Sequence, residues 1–87
     1  HTTEYFLHCD QVSFDKLMRS IIYPEEGNNH AFFIVSIMEA DNDKDYSCYG
    51  KGCARFCVRF KVTDNIIFGR LLNECYVLER MDRALAG

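Results

Sequence analysis

The sequence has no tryptophan, a single proline and five glycines in 87 residues. So few breakers and flexible positions exclude collagen-like, low-complexity and disordered classes. Long hydrophobic runs are missing too. The longest unbroken apolar stretch, Ala31 to Val35, is far shorter than the ~20 residues a membrane-crossing helix needs. No leader-peptide pattern opens the chain. Net charge is small: 10 basic against 13 acidic side chains give −3, which argues against a generic polyanion binder. There is no Gly-rich phosphate loop, because Gly50-Lys51-Gly52 lacks both the length and the following Ser or Thr. A Cys/His pair could in principle supply a nucleophile and its base, but every cysteine has a structural reading. No enzyme activity is expected, and no cofactor or small-molecule substrate.

What is present is a core. Hydrophobic residues make up 48% of the chain and aromatics 14%. Residues 1–87 read as one domain, expected to be a piece of a longer intracellular protein. A chain of this size buries only about two-thirds of its unfolded surface, so its core must be efficient or completed by a partner. The charge is unevenly spread. Residues 1–47 carry three basic and nine acidic side chains, a balance of −6, and residues 48–87 carry seven and four, a balance of +3. From Lys51 to Lys61 there are four cations (Lys51, Arg55, Arg59, Lys61) and no acid.

Five cysteines (Cys9, Cys48, Cys53, Cys57, Cys75) are an odd number. With no leader pattern, they are expected to be reduced thiols of an intracellular protein, in cytoplasm or nucleus. A zinc site is not expected. Cys48, Cys53 and Cys57 lack the two-residue spacing of a zinc knuckle, and positions four apart on a strand lie ~13 Å apart. Small buried hydrophobes are the better reading of these side chains.

The pattern along the chain alternates strand and helix signals. Residues 4–9 (Glu4-Tyr5-Phe6-Leu7-His8-Cys9) are strand formers. Ser13 offers a helix N-cap, Asp15 suits the first turn, and Phe14, Leu17, Met18, Ile21 and Ile22 recur at helical spacing. Pro24 and the run Glu25-Glu26-Gly27-Asn28-Asn29 form a loop. Ala31 to Ala40 is the strongest strand, Asp41 to Asp45 a solvated turn, and a further strand runs from about Cys53 to Val62. Thr63 or Asp64 caps a helix containing Ile66, Ile67, Phe68, Leu71, Leu72 and Cys75. Beyond it the spacing permits two outcomes. Either the helix continues to the end, or it stops near Asn73 to Cys75 and Arg83 to Gly87 forms a last strand. The second is preferred because it gives every hydrophobic face a shared place to bury. The expected class is then α+β, a ferredoxin-like β-α-β-β-α-β sandwich with a four-stranded antiparallel sheet and two helices on one face.

In this order the chain resembles an RNA recognition motif (RRM). Tyr5-Phe6-Leu7-His8-Cys9-Asp10 is similar to that family's first-strand motif, with Phe6 at the stacking position. Lys51-Gly52-Cys53-Ala54-Arg55-Phe56-Cys57-Val58-Arg59-Phe60 is similar to its third-strand motif, stretched by two residues. The resemblance implies RNA contact on the open sheet face, with Phe6, His8, Lys51, Arg55 and Arg59 as candidates. This chain departs from the pattern where the family carries strand-3 aromatics, because Arg55 and Cys57 stand there. Stacking a base on a ring is worth ~1–3 kcal/mol, so RNA affinity is expected to be low and salt-sensitive. The family's peptide-binding subclass has Arg-x-Phe after the second helix, and Asn73-Glu74-Cys75-Tyr76 does not match it. A double-stranded-RNA-binding domain is the fold-level competitor, but Thr63-Asp64-Asn65 is not the basic helix start it needs.

Two segments point to protein partners. The strand 31–40 is apolar on both faces, with Phe33, Val35 and Ile37 on one and Phe32, Ile34 and Met38 on the other. The second helix carries more apolar residues than one core-facing stripe uses. Phe32, Ile34, Met38, Phe68 and Leu72 are therefore the candidate partner contacts. The resulting expectation is an atypical RRM acting mainly as an association or oligomerisation module in an RNA-processing or small-RNA ribonucleoprotein complex, with direct single-stranded RNA binding as the alternative. No metal and no membrane contact is expected.

Overall fold

The computed structural model describes residues 2–22, 31–41 and 45–84, with Ala84 by its backbone alone. The elements are β1 (Thr3–Cys9), α1 (Gln11–Ile22), β2 (Phe32–Glu39), β3 (Ser47–Tyr49), β4 (Gly52–Ala54), β5 (Phe56–Val62), α2 (Asn65–Glu74) and β6 (Glu79–Ala84). A four-stranded antiparallel sheet runs in the order β2-β5-β1-β6, and β3 pairs with β4 in a separate hairpin. The fold is therefore α+β with two helices, a layout compatible with a split β-α-β arrangement. The expected loop over residues 24–29, most of the 41–45 turn and the chain end at Gly87 lie outside the described residues.

Period-two alternation sorts the sheet's side chains between two faces. Tyr5, Leu7 and Cys9 of β1 and Phe56, Val58, Phe60 and Val62 of β5 are buried with Leu17 of α1 and Phe68, Leu71 and Leu72 of α2 in one cluster. Both helices thus pack into the same core, and Phe14, Met18 and Ile21 of α1 lie against it. Aromatic contacts tie the layers together. Phe60 and Phe68 ring centroids are 5.1 Å apart, and Phe32 lies 5.6 Å from Phe60 and 5.4 Å from Phe68. Each fully buried side chain of this size contributes ~1.5–3 kcal/mol.

Helix ends follow local hydrogen bonding. Asp64 caps α2, its Oδ1 accepting from the Ile66 and Ile67 amides at 3.0 and 3.1 Å, and α2 stops at Glu74. At α1 the cap is Asp10, not Ser13: Asp10 Oδ1 accepts from the Ser13 amide at 2.8 Å. Only one residue separates the end of β1 from the start of α1, so the cap must come directly after Cys9. Ser13 is consequently a buried first-turn residue, and Asp15 lies past the first turn, where the Gln11 side-chain Nε2 donates to its Oδ1 at 3.0 Å.

Three further differences from the sequence expectation stand out. The last strand begins at Glu79, so Arg83 lies near its end. The run from Cys53 to Val62 is not one strand. It breaks at Arg55, and its first part pairs with Ser47–Tyr49 around a Gly50-Lys51 turn. Gly52, at φ +154° and with Leu78 Cδ2 3.4 Å from where a Cβ would stand, makes that entry possible. Finally, β2 bulges between Ile34 and Ser36, with Val35 as the extra residue. The bulge reverses the facing of everything after it. Phe33, Ser36 and Met38 now share one face, and Phe32, Ile34 and Ile37 the other.

The core and the surface of α2 make opposite predictions. Phe60→Ala is expected to cost about 3–5 kcal/mol, because Phe60 is 0% exposed. Ile66→Ala should stay within about 0.5 kcal/mol, because Ile66 is 72% exposed. Urea denaturation followed by circular dichroism measures both.

Candidate functional site on the uncovered sheet face

The register of β2, β5, β1 and β6 places twelve side chains on the sheet face away from the helices, in three rows. The first row is Met38, Cys57, His8 and Glu79. The second is Ser36, Arg59, Phe6 and Met81. The third is Phe33, Lys61, Glu4 and Arg83. Of the sequence-predicted RNA residues, Phe6, His8 and Arg59 are brought together here. Lys51 and Arg55 are not.

Glu4 dominates the centre. Its side chain is 0% exposed, and it forms an ion pair with Arg59. A buried carboxylate is tolerated only when paired. The bond from Arg59 holds the Glu4 carboxyl below its ordinary value, against the raising effect of burial, and Arg59, Arg83 and Lys61 charges help. Arg59 is correspondingly held above its ordinary value, first by the bond to Glu4. Two guanidiniums lie over the Phe6 ring, Arg59 at 5.5 Å and Arg83 at 5.1 Å from its centroid. They come from the strands on either side of β1, so the ring is already engaged by cation–π contacts. A base would have to displace one of them to stack.

The remaining predicted cations have partners elsewhere. Arg55 Nε pairs with Glu39 at 3.0 Å, and its guanidinium lies 5.9 Å from both the Tyr46 and Phe56 rings. Lys51 Nζ lies 5.3 Å from the Tyr76 ring, at the tip of the β3–β4 hairpin. That hairpin folds toward the first row, where the Tyr49 ring lies 5.1 Å from the His8 ring. Burial raises the Tyr49 hydroxyl above its usual value, and the nearby Glu79 carboxylate adds to this.

Three exposed apolar side chains stand on the outer strands of the face. Met38 is 67% exposed, Phe33 55% and Met81 50%. Of the predicted partner contacts only Met38 belongs to this face and stands free. Phe68 and Leu72 are buried in the core, and Phe32 and Ile34 pack against it. Sequence reasoning overlooked Glu4, Arg83 and Met81 as members of this face. The alternation of Glu4 with Phe6 and His8 was the available signal for the first.

The expectation of five reduced cysteines is corrected at one pair. Cys48 and Cys53 form a disulfide, with Cα atoms 3.9 Å apart, leaving Cys9, Cys57 and Cys75 free. Spacing that separates two positions along a straight strand brings them opposite each other when a two-residue turn lies between. Among the described residues no group of three or more His, Cys, Asp and Glu could hold a metal ion, and no helix is long and apolar enough to cross a membrane. Comparison with known protein families, with curated proteins and with solved structures finds no match.

The Glu4 carboxyl contributes to the acid side of the stability profile. Its value is lowered on folding, so the pair contributes stability at every pH above the ordinary 4.5 and gives it up as acid protonates Glu4 below that. Thermal melts between pH 7 and pH 2 should show a step in this acid range that Glu4→Gln removes. Arg59→Ala should destabilise at neutral pH, because it strands a buried carboxylate.

Proposed function

We propose that this chain is an atypical RRM-like domain with ferredoxin-like topology that works mainly by protein association, as a module of an RNA-processing or small-RNA ribonucleoprotein complex. The observation that carries this reading is the Glu4–Arg59 ion pair at the centre of a face whose edges carry exposed apolar side chains. Glu4 cancels Arg59, while Phe33, Met38 and Met81 stand half or more exposed on the same face. Exposed Phe and Met around a guanidinium match the composition of protein interfaces, where aromatic residues, Met and Arg are enriched. Methionine also adapts its shape to a partner at little cost. The sheet order β2-β5-β1-β6 supports the topology.

The second reading is single-stranded RNA binding, favoured by Phe6, His8, Arg59, Lys61 and Arg83 sharing one face. The two differ in what each needs. RNA binding must recruit a guanidinium and a ring that already engage each other. Association uses side chains that stand half or more exposed.

Sedimentation over a concentration series, with a fluorescent single-stranded RNA titration at two salt concentrations, separates the readings. Association predicts a concentration-dependent dimer that Phe33→Ser with Met38→Ser returns to monomer, with RNA binding weak or undetected. A strict monomer that binds RNA with steep salt dependence, lost in Phe6→Ala, would overturn it.

A further inference from the structure

The β3–β4 hairpin has three cross-strand pairs, too few to hold alone in water. Two sets of interactions hold it. One is the covalent bond between Cys48 and Cys53, residues directly opposed in the hairpin and both exposed. The other is its seat on the body, through Tyr49 against His8, Tyr49 with Glu79, and Lys51 over Tyr76. His8 and Glu79 are opposed across β1 and β6. Tyr49 therefore covers one end of the uncovered sheet face, and its position depends on the hairpin that carries it.

The remaining thiols are held toward their protonated, less reactive form. Burial raises Cys9 to about 12 and also lifts Cys57 and Cys75, which withholds the thiolates that disulfide exchange requires. The exposed pair is thus accessible to an external thiol.

We propose that the Cys48–Cys53 bond is a redox-operated clasp that holds Tyr49 over the His8–Glu79 end of the uncovered sheet face, and that its reduction frees that end. The reductant is a dithiol, either a small molecule or a dithiol protein. Its thiolate attacks one sulfur and forms a mixed disulfide. Its second thiol then closes the reductant's own disulfide and releases the chain. One S–S bond breaks and one forms, and two electrons and two protons end on Cys48 and Cys53 as thiols. Release removes a closed loop of sequence separation 5, worth on the order of 30-fold in the opening equilibrium of the hairpin. The hairpin is the part of the chain that loosens, because β1, β5 and β6 keep their own pairings. The effect on binding rests on the association reading above, whereas the clasp itself does not.

The test uses the whole chain, oxidised or reduced with dithiothreitol, together with the Cys48→Ser/Cys53→Ser and Tyr49→Ala variants. Thiol titration after denaturation should give three free thiols before reduction and five after. Amide hydrogen exchange over residues 47–54 should accelerate on the order of 30-fold on reduction, with β1 and β5 unchanged. Diethyl pyrocarbonate labelling of His8, mapped by mass spectrometry, should rise in the reduced chain, in the double serine variant and in oxidised Tyr49→Ala. Five thiols without reductant, or unchanged hairpin exchange and His8 labelling on reduction, would overturn the clasp. Sedimentation of both redox forms supplies the remaining arm. A hairpin that opens while self-association stays the same supports the clasp and counts against association through this end of the face.

Discussion

A carboxylate in the middle of a four-stranded sheet has two places to go, and both are demanding. β1 is flanked by β5 and β6, so each of its side chains points either into the core under the helices or onto the face with no helices. Tyr5, Leu7 and Cys9 take the core, which leaves Glu4 with Phe6 and His8 on the other side. There Glu4 is 0% exposed and must be paired, because a buried charge without a partner is unfavourable. Arg59, placed on the same face by β5, is the partner. That choice propagates outward. Arg59 lies against Phe6 because it reaches for Glu4, and Arg83 closes on Phe6 from β6. The centre of the face is consequently stabilised by its own charges, with Arg59 engaged by Glu4 and with Lys61 and Arg83 as the cations beside the pair.

The parts of the fold visible in the sequence were those set by long, regular patterns. Alternation in 4–9, helical spacing from Phe14 to Ile22, and the Asp64 cap before Ile66 each follow from a single local rule, and each reappears in the structure within a few residues. The parts that were hidden depend on contacts between segments distant in sequence or on a single local irregularity. Nothing in Cys53 to Val62 taken alone shows that Arg55 breaks the strand. The break arises because Ala54 turns to pair with Ser47, while Phe56 pairs with Cys9 and Glu39. The disulfide was hidden for the same reason, since an odd cysteine count argues about the chain as a whole and not about one hairpin. The candidate face was half legible. Phe6, His8 and Arg59 followed from alternation, but Arg83 and Met81 required the start of β6, where an Arg-rich, weakly periodic segment gives no clear signal.

The bulge at Val35 decides how β2 presents itself. An apolar edge strand invites another strand to pair with it, and a bulge is one of the devices that discourages this by kinking the edge. It has a second consequence. Phe33 and Met38 are five apart, so in a regular strand they would point to opposite faces. The extra residue brings both to the uncovered face, opposite Lys61 and Cys57. The same irregularity that blunts strand addition therefore gathers the two largest exposed apolar side chains of the strand onto one surface. On the association reading proposed above, contact would run by side-chain packing on the sheet face and not by extension of the sheet. The Glu4–Arg59 pair then serves a different purpose from the one a basic segment first suggests. On that same reading it would neutralise a charge that a partner covering Phe33, Met38 and Met81 would otherwise have to desolvate.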